Sequence, residues 1–396
     1  MTSDRVVHDA AASSAAMTGD QALLDVRDLQ TRYPVRRSIS DRLARRPRQW
    51  VRAVDGVSFS LRRGEMVALV GESGCGKTST AQTILRMTEA AGGSITVDGQ
   101  DITSVSQRKL RPLRRGIQMV YQDPYESLDP RFRVRQTVAE PLLVHGIGGS
   151  SSERAALVTE ALERAGLSPA SLYLDRYPHE LSGGQRQRVA IAAALALDPM
   201  LLLADEPVSM LDVSVRAGVL ALLDGLRRDG RLGVLMITHD LSTAARFADR
   251  IAVMYLGRIV EYGPAREVVA DPRHPYTKAL LSVVPNRDPR VRGTAQILSG
   301  ETPNPVAIPS GCRFRPRCPI AEDRCAQTDP QLALSGNHPQ HQAACLLASL
   351  AGGGAAAVWS ANQASRGAAA RRRGIPAPRH APRRPRARGT RSASGA

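Results

Sequence analysis

The chain has 396 residues, of which 42% are hydrophobic, and a formal net charge of +17. That length suggests roughly two to three domains, and the apolar content excludes wholesale disorder. No stretch reaches the ~18 uninterrupted apolar residues of a spanning helix. The first 20 residues carry three Asp and no apolar core of the signal-peptide type, so a soluble, cytoplasmic chain is expected. A basic surplus raises nucleic acid or anionic lipid as partners, but its placement is local. Residues 351–396 hold ten Arg and no acid, and residues 32–52 hold eight Arg and one Asp. These segments contribute +10 and +7, and the remaining 36 basic and 36 acidic residues cancel.

Residues 1–21 are rich in Ala, Ser and Asp and read as disordered. A strand is predicted over 23–29, after which the Arg-rich segment 32–52 interrupts the pattern. Short apolar runs then predict strands over 66–70, 95–97, 117–121, 201–204, 234–237 and 251–255. Helices are predicted over 79–87, 153–165, 185–197 and 213–228. Strands alternating with helices imply an α/β fold with a mostly parallel sheet. The proline-rich stretch 263–310 reads as an extended connection, followed by a compact Cys-bearing segment over 311–347. The tail 351–396 is too poor in apolar residues to fold alone.

Gly71, Glu72, Ser73, Gly74, Cys75, Gly76, Lys77 and Thr78 fit the spacing G-x4-G-K-[ST], between a predicted strand and a helix beginning at Ser79. The glycines let backbone N–H groups turn inward around phosphate oxygens, and the helix N-terminus adds partial positive charge. Lys77 can bridge two phosphates, and the Thr78 hydroxyl can ligate Mg²⁺. Cys75 reads as a small filler. Ser182, Gly183, Gly184 and Gln185 open a second helix with free N–H groups and a hydroxyl, again suited to phosphate. The apolar strand 201–204 ends in Asp205 and Glu206. Burying such acids is costly without a use. Asp205 can hold Mg²⁺, and Glu206 can act as general base on water. Gln122 and His239 each follow a predicted strand, where they can sense the metal, the water or a terminal phosphate.

This order of motifs resembles the nucleotide-binding subunit of an ATP-binding cassette (ABC) transporter over roughly residues 22–265. The resemblance implies a P-loop NTPase fold with a RecA-like core, an antiparallel β subdomain and a helical subdomain. It implies ATP and Mg²⁺ as cofactors, with Thr78, Gln122 and Asp205 at the metal. In family terms, 71–78 is Walker A, Gln122 the Q-loop, and 181–185 the signature motif. Asp205 and Glu206 form Walker B with its catalytic Glu, and His239 is the H-loop. Ser209, Met210, Leu211 and Asp212 resemble the D-loop, with Met210 in place of the usual Ala. Tyr33 stands where the family stacks an aromatic on adenine. Lys77, Gln122, Glu206 and His239 then carry hydrolysis. Two subunits close head-to-tail, and the Ser182–Gln185 loop of each acts on the other's ATP. Separate membrane subunits are moved, contacting Gln122 and residues 123–130.

His274-Pro275-Tyr276 and the stretch 311–319 resemble the C-terminal extension of oligopeptide/dipeptide importer ATPases, here residues 266–350. The loop and Gln122-Asp123-Pro124-Tyr125 are most similar to the F-type subunit. That implies pairing with a D-type ATPase, or a homodimer, together with two permeases and an extracellular solute-binding protein. The place implied is the cytoplasmic face of the inner membrane, as a peripheral subunit. The same machinery serves nickel, glutathione or antimicrobial peptides in some members. A non-transport ABC ATPase acting on ribosome or DNA is the rival reading, but this chain has one cassette and the importer extension. Cys312, Cys318, Cys325 and Cys345 are spaced x5, x6 and x19, wider than zinc knuckles. Some family members hold a [4Fe–4S] cluster on such a quartet; reduced thiols or zinc are the alternatives. Trp359 is the only aromatic in the basic tail, which speaks against base stacking and nucleic acid. A solvated tail is the plain reading of 351–396, and anionic lipid contact, at ~1 kcal/mol per Lys or Arg near the membrane, is the functional alternative for both Arg-rich segments.

Overall fold

In this computed structural model, the described residues are 22–37, 44, 47–229, 231–284, 298, 300–335 and 338–348. Expectations for 1–21 and 351–396, and for most of the centre of the 32–52 segment, fall outside them.

Two sheets form the framework. A four-stranded antiparallel sheet has the order β2-β1-β4-β5, from β1 (Leu24–Pro34), β2 (Trp50–Leu61), β4 (Gly92–Val97) and β5 (Gln100–Asp101). A second sheet, eight-stranded among the described residues and including β10 (Arg258–Pro264), β11 (Ala333–Leu334) and β12 (Gln342–Ala343), has the order β11-β12-β10-β9-β3-β8-β7-β6. Its parallel part comprises β3 (Met66–Val70), β6 (Ile117–Val120), β7 (Leu201–Asp205), β8 (Gly233–Thr238) and β9 (Arg250–Tyr255). Every residue of β3, β7 and β8 is buried, as a parallel sheet covered on both faces requires.

Side-chain alternation splits the core. Val67, Leu69, Leu203 and Leu235 face a cluster that includes Leu24, Val26 and Val57 of the smaller sheet. Met66, Ala68, Leu202 and Met236 face a second cluster. That cluster is completed by α4 (Val134–His145), α5 (Ser151–Arg164) and α6 (Gly183–Leu195), through Val138, Leu162 and Ile191 among others. These three follow α1 (Lys77–Ile84), α2 (Gln107–Arg115) and the single-turn α3 (Pro124–Ser127). Then come α7 (Val213–Arg228) and α8 (Leu241–Phe247). Among the described residues no helix is long and apolar enough to cross a membrane.

Three expectations need correction. The Arg-rich interruption is shorter than 32–52, because β1 and β2 extend into it, pairing Arg32 with Arg52, Tyr33 with Val51 and Pro34 with Trp50. The proline-rich stretch is not simply extended. It holds the end of β10 (Arg258–Pro264), α9 (Ala265–Ala270) and α10 (Pro275–Ser282). Pro275 opens α10 at the position where a missing N–H costs nothing, and the His274 ring accepts the amide of Tyr276 at 3.1 Å. Finally, the Cys-bearing segment builds onto the main sheet. β12 (Gln342–Ala343) pairs with β10 and with β11 (Ala333–Leu334). Glu261 of β10 is fully buried and is satisfied by the His341 ring at 2.8 Å and by the amides of Arg273 and His274. A buried carboxylate needs such partners.

Candidate active site

The functional loop leaves β3 and enters α1, whose first residue is Lys77. Gly76 has φ 109°, and an added Cβ would lie 2.1 Å from the Ala53 carbonyl oxygen. At Gly71 it would lie 2.3 Å from the Met254 carbonyl oxygen. The loop is therefore pressed between β2 and β9, and only glycine fits. The Lys77 ammonium, 5% exposed, donates to the carbonyls of Gly71 at 2.8 Å and Glu72 at 3.0 Å. Burial pushes the Cys75 thiol up despite the adjacent Lys77, so it stays protonated and packs as a small apolar group.

Asp205 ends β7 and is 4% exposed. Burial raises its pKa, the Thr78 hydroxyl opposes this by hydrogen bonding, and the Glu206 charge adds to the rise. One carboxylate oxygen, Oδ1, is buried without a partner among the described residues. An orphaned carboxylate oxygen beside a threonine hydroxyl is a donor set that fits a hard, oxygen-seeking cation. Glu206 sits at φ 44°, a left-handed conformation that strains a non-glycine residue. Its amide donates to the Ile237 carbonyl at 2.9 Å. Its Oε2 accepts from the Gln122 amide at 3.3 Å and lies 3.1 Å from His239 Nδ1. Strands β6, β7 and β8 thus deliver Gln122, Glu206 and His239 from their carboxyl ends, where open α/β sheets bind ligands.

Lys77, Thr78, Gln122, Glu206 and His239 line one cavity of about 680 Å³, together with Ser73, Gly74 and Ser79. Asp205 joins them through Thr78. Other expected residues stand apart from this cavity. Ser182 caps α6, accepting the Gln185 amide at 3.3 Å, while the Gln185 side chain accepts the Ser182 amide at 2.9 Å. This capping box leaves Ser182 exposed. Gly184 lies so close to α7 that a Cβ would meet Val215 at 2.3 Å. Asp212 precedes α7 in an exposed stretch, with Met210 59% and Val213 80% exposed. Tyr33 is half-buried opposite Val51, a lining residue, without lining the cavity itself.

Residues of the C-terminal segment that carry no expected role reach the loop as well. Tyr276 Oη accepts the Glu72 amide at 2.9 Å. Arg317 donates to both Glu72 carboxylate oxygens, at 2.8 and 3.2 Å, and Thr302 Oγ1 donates to one of them at 3.0 Å. Burial works against ionisation of Glu72, but Arg317, with Thr302 and Lys77 adding to it, overrides burial and holds the carboxyl below the usual range. Leu280 and Pro305 line the same cavity. The motif His274-Pro275-Tyr276 was the available signal.

The four clustered cysteines converge. Cys312, Cys318, Cys325 and Cys345 line one tight cavity of about 10 Å³, room for at most one water. All are free thiols. Burial pushes Cys312 up to about 11 and Cys318 up to about 12. Among the described residues, no group of three or more His, Cys, Asp or Glu has metal-holding geometry. Four thiols are the donor type of a soft metal centre, but their arrangement among the described residues does not form one.

A phosphate loop facing a carboxylate pair across a parallel sheet, with a helical subdomain beside it, defines an ATP-binding cassette. The family model "ABC transporter" matches residues 54–209, and "Oligopeptide/dipeptide transporter, C-terminal region" matches 260–325. A peptide import ATP-binding protein of Brucella ovis is 45% identical over 324 residues, spanning 82% of this chain and 97% of that protein. The oligopeptide transport ATP-binding protein AppF of Bacillus subtilis is 44% identical over 332 residues, 83% and 98% of the two chains. The solved dimer of the cassette MJ0796 in a post-hydrolysis state with ADP and Pi superposes with a TM-score of 0.53 at 28% identity. It covers 61% of this chain and 99% of that one. The chain belongs to the ABC transporter ATP-binding family and is an ATPase of its oligopeptide/dipeptide branch.

Proposed function

We propose that the chain hydrolyses ATP to power import of di- and oligopeptides through separate permease subunits, at the cytoplasmic face of the membrane. The observation that carries this reading is the importer-type C-terminal segment built into the nucleotide cavity through Tyr276, Leu280 and Arg317. In the mechanism, amides of Ser73, Gly74, Gly76, Lys77 and Thr78 and the Lys77 ammonium bind the phosphates, while the Glu72 amide is held by Tyr276. Thr78 and Asp205, with Gln122, would hold Mg²⁺. The ion, when bound, would offset charge on the transferring phosphoryl group. Glu206 orients the attacking water and takes its proton, and His239 and Gln122 hold the Glu206 carboxylate in place. Ser182 and Asp212, both exposed, with the Gly183–Gln185 turn that carries Ser182, stand outside the cavity and act on ATP held by a facing subunit. That facing chain is a D-type ATPase or a second copy. Tyr33 stacks on adenine.

In a strain lacking this gene, uptake of a labelled di- or oligopeptide falls. It returns with the wild-type chain and not with Lys77→Ala. Unimpaired peptide uptake beside lost nickel or glutathione uptake would point to the same machinery serving another solute.

The four cysteines are proposed as ligands of a [4Fe–4S] cluster, supported by their convergence and their free thiols; the roughly 10 Å³ space between them has to open to take it. Protein purified without oxygen is expected to contain iron and acid-labile sulfide and to lose both on Cys318→Ser. Iron-free protein rejects the cluster. The Arg-rich segments 32–52 and 351–396 are proposed to contact anionic lipid. Salt-sensitive sedimentation with anionic vesicles should weaken when 351–396 is deleted, and unchanged sedimentation contradicts it.

A further inference from the structure

We infer that Arg317, with Tyr276 and Thr302, positions the phosphate loop and thereby sets the affinity for ATP. The inference rests on the reading of residues 71–78 as an ATP phosphate loop. Glu72 is the second residue of that loop, and each of its polar groups is engaged. Its carbonyl accepts from Lys77 at 3.0 Å. Its amide donates to Tyr276 at 2.9 Å. Its carboxylate accepts from Arg317 at 2.8 and 3.2 Å and from Thr302 at 3.0 Å. Two of these three groups are held by residues more than 200 positions away in the chain, at separations of 204 and 245.

The clamp is itself rigid. The Arg317 side chain is 8% exposed, and its guanidinium lies 5.9 Å from the Tyr255 ring centre. Tyr255, Tyr276 and Phe314 pack as a buried aromatic cluster, with centroids 4.8 to 5.5 Å apart. A planar guanidinium gripping both carboxylate oxygens fixes orientation as well as distance. This matters because the loop is intrinsically soft. Gly74 and Gly76 both sit at positive φ, and glycine carries the largest backbone freedom to lose on ordering. A loop held from outside binds its ligand with less ordering cost. Among the described residues, Arg317 does not line the cavity around Glu206 and makes no hydrogen bond or ion pair with Glu206, Gln122 or His239. Its effect therefore falls on binding and not on the chemical step.

The test measures ATP·Mg²⁺ affinity by calorimetry, and steady-state KM and kcat, on the full chain as wild type, Arg317→Ala, Arg317→Lys and Tyr276→Phe. Arg317→Ala should weaken ATP about tenfold or more and raise KM in parallel, with kcat little changed. Arg317→Lys keeps the charge without the fork and should fall between the two. Tyr276→Phe keeps the aromatic packing and removes one acceptor, giving a several-fold loss by itself. If Arg317→Ala does not fold, the Lys and Phe variants decide. Folded variants with wild-type affinity overturn the inference, as does a fall in kcat at constant KM. A wild-type chain that binds no ATP overturns the phosphate-loop reading beneath it, a result distinct from either.

Discussion

Glu206→Gln is expected to retain ATP while turnover, read as phosphate release, falls by roughly 10²- to 10⁴-fold. The amide is isosteric and keeps contact with Gln122 and His239, but it cannot take a proton from water. Binding rests on Lys77, Thr78 and Asp205, which are untouched. The Glu206 charge is one of the influences that raise the Asp205 pKa, so its removal favours the ionised Asp205 that a cation needs. The left-handed backbone at Glu206, φ 44°, is set by its strand-end position and the bond to Ile237, and glutamine tolerates it as glutamate does. Near-normal turnover would remove Glu206 from the reaction.

The second large effect is on stability. Arg313 is 7% exposed; it pairs with Asp55 of β2 and donates to the Leu256 carbonyl at 2.8 Å. It thus ties the C-terminal segment to β2 and to the turn between β9 and β10. Arg313→Ala should destabilise the fold at neutral pH by about 1–3 kcal/mol, because the Asp55 carboxylate loses its hydrogen-bonded partner while only the more distant charges of Arg258 and Arg52 remain. The pH dependence has a definite sign. Burial opposes ionisation of Asp55, but Arg313, with Arg258 and Arg52 adding to it, outweighs burial and the folded-state pKa is lowered. The pair's contribution is thus fully present above the unfolded value near 4 and is lost as pH falls through the folded value. The gap between wild type and variant in denaturant unfolding should be widest near neutrality and narrow below about pH 4. A gap independent of pH would show that the Asp55 charge is not what Arg313 stabilises.

What was legible in the sequence was local. Residues 71–78 announce themselves because each backbone turn requires its own glycine, and Gly71 and Gly76 fit no larger side chain. Strand 201–204 and its terminal acids were readable because burial on both faces leaves an unbroken apolar run. Ser182 and Gln185 were seen as a helix start, and they do form a capping box. What escaped was long-range or carried by very short elements. β12 is two residues long and has no pattern of its own, yet it joins the segment to β10. Glu261 reads as an ordinary strand acid until His341, 80 positions away, is seen beside it. Arg317 lies among other arginines, and nothing in its surroundings marks it as the partner of Glu72. The Arg-rich interruption looked longer than it is because Arg32 and Arg52 face each other across an ordinary strand pair.

The most direct test of the central claim is the identity of the nucleotide that stays with the protein. The full chain and its Glu206→Gln variant are loaded with ATP and Mg²⁺, freed of unbound nucleotide by rapid gel filtration, and analysed after quenching. Wild type should carry ADP and the variant intact ATP. Glu206→Gln carrying ADP at the wild-type level, or neither protein retaining nucleotide, would contradict an ATPase site built on Lys77, Asp205 and Glu206.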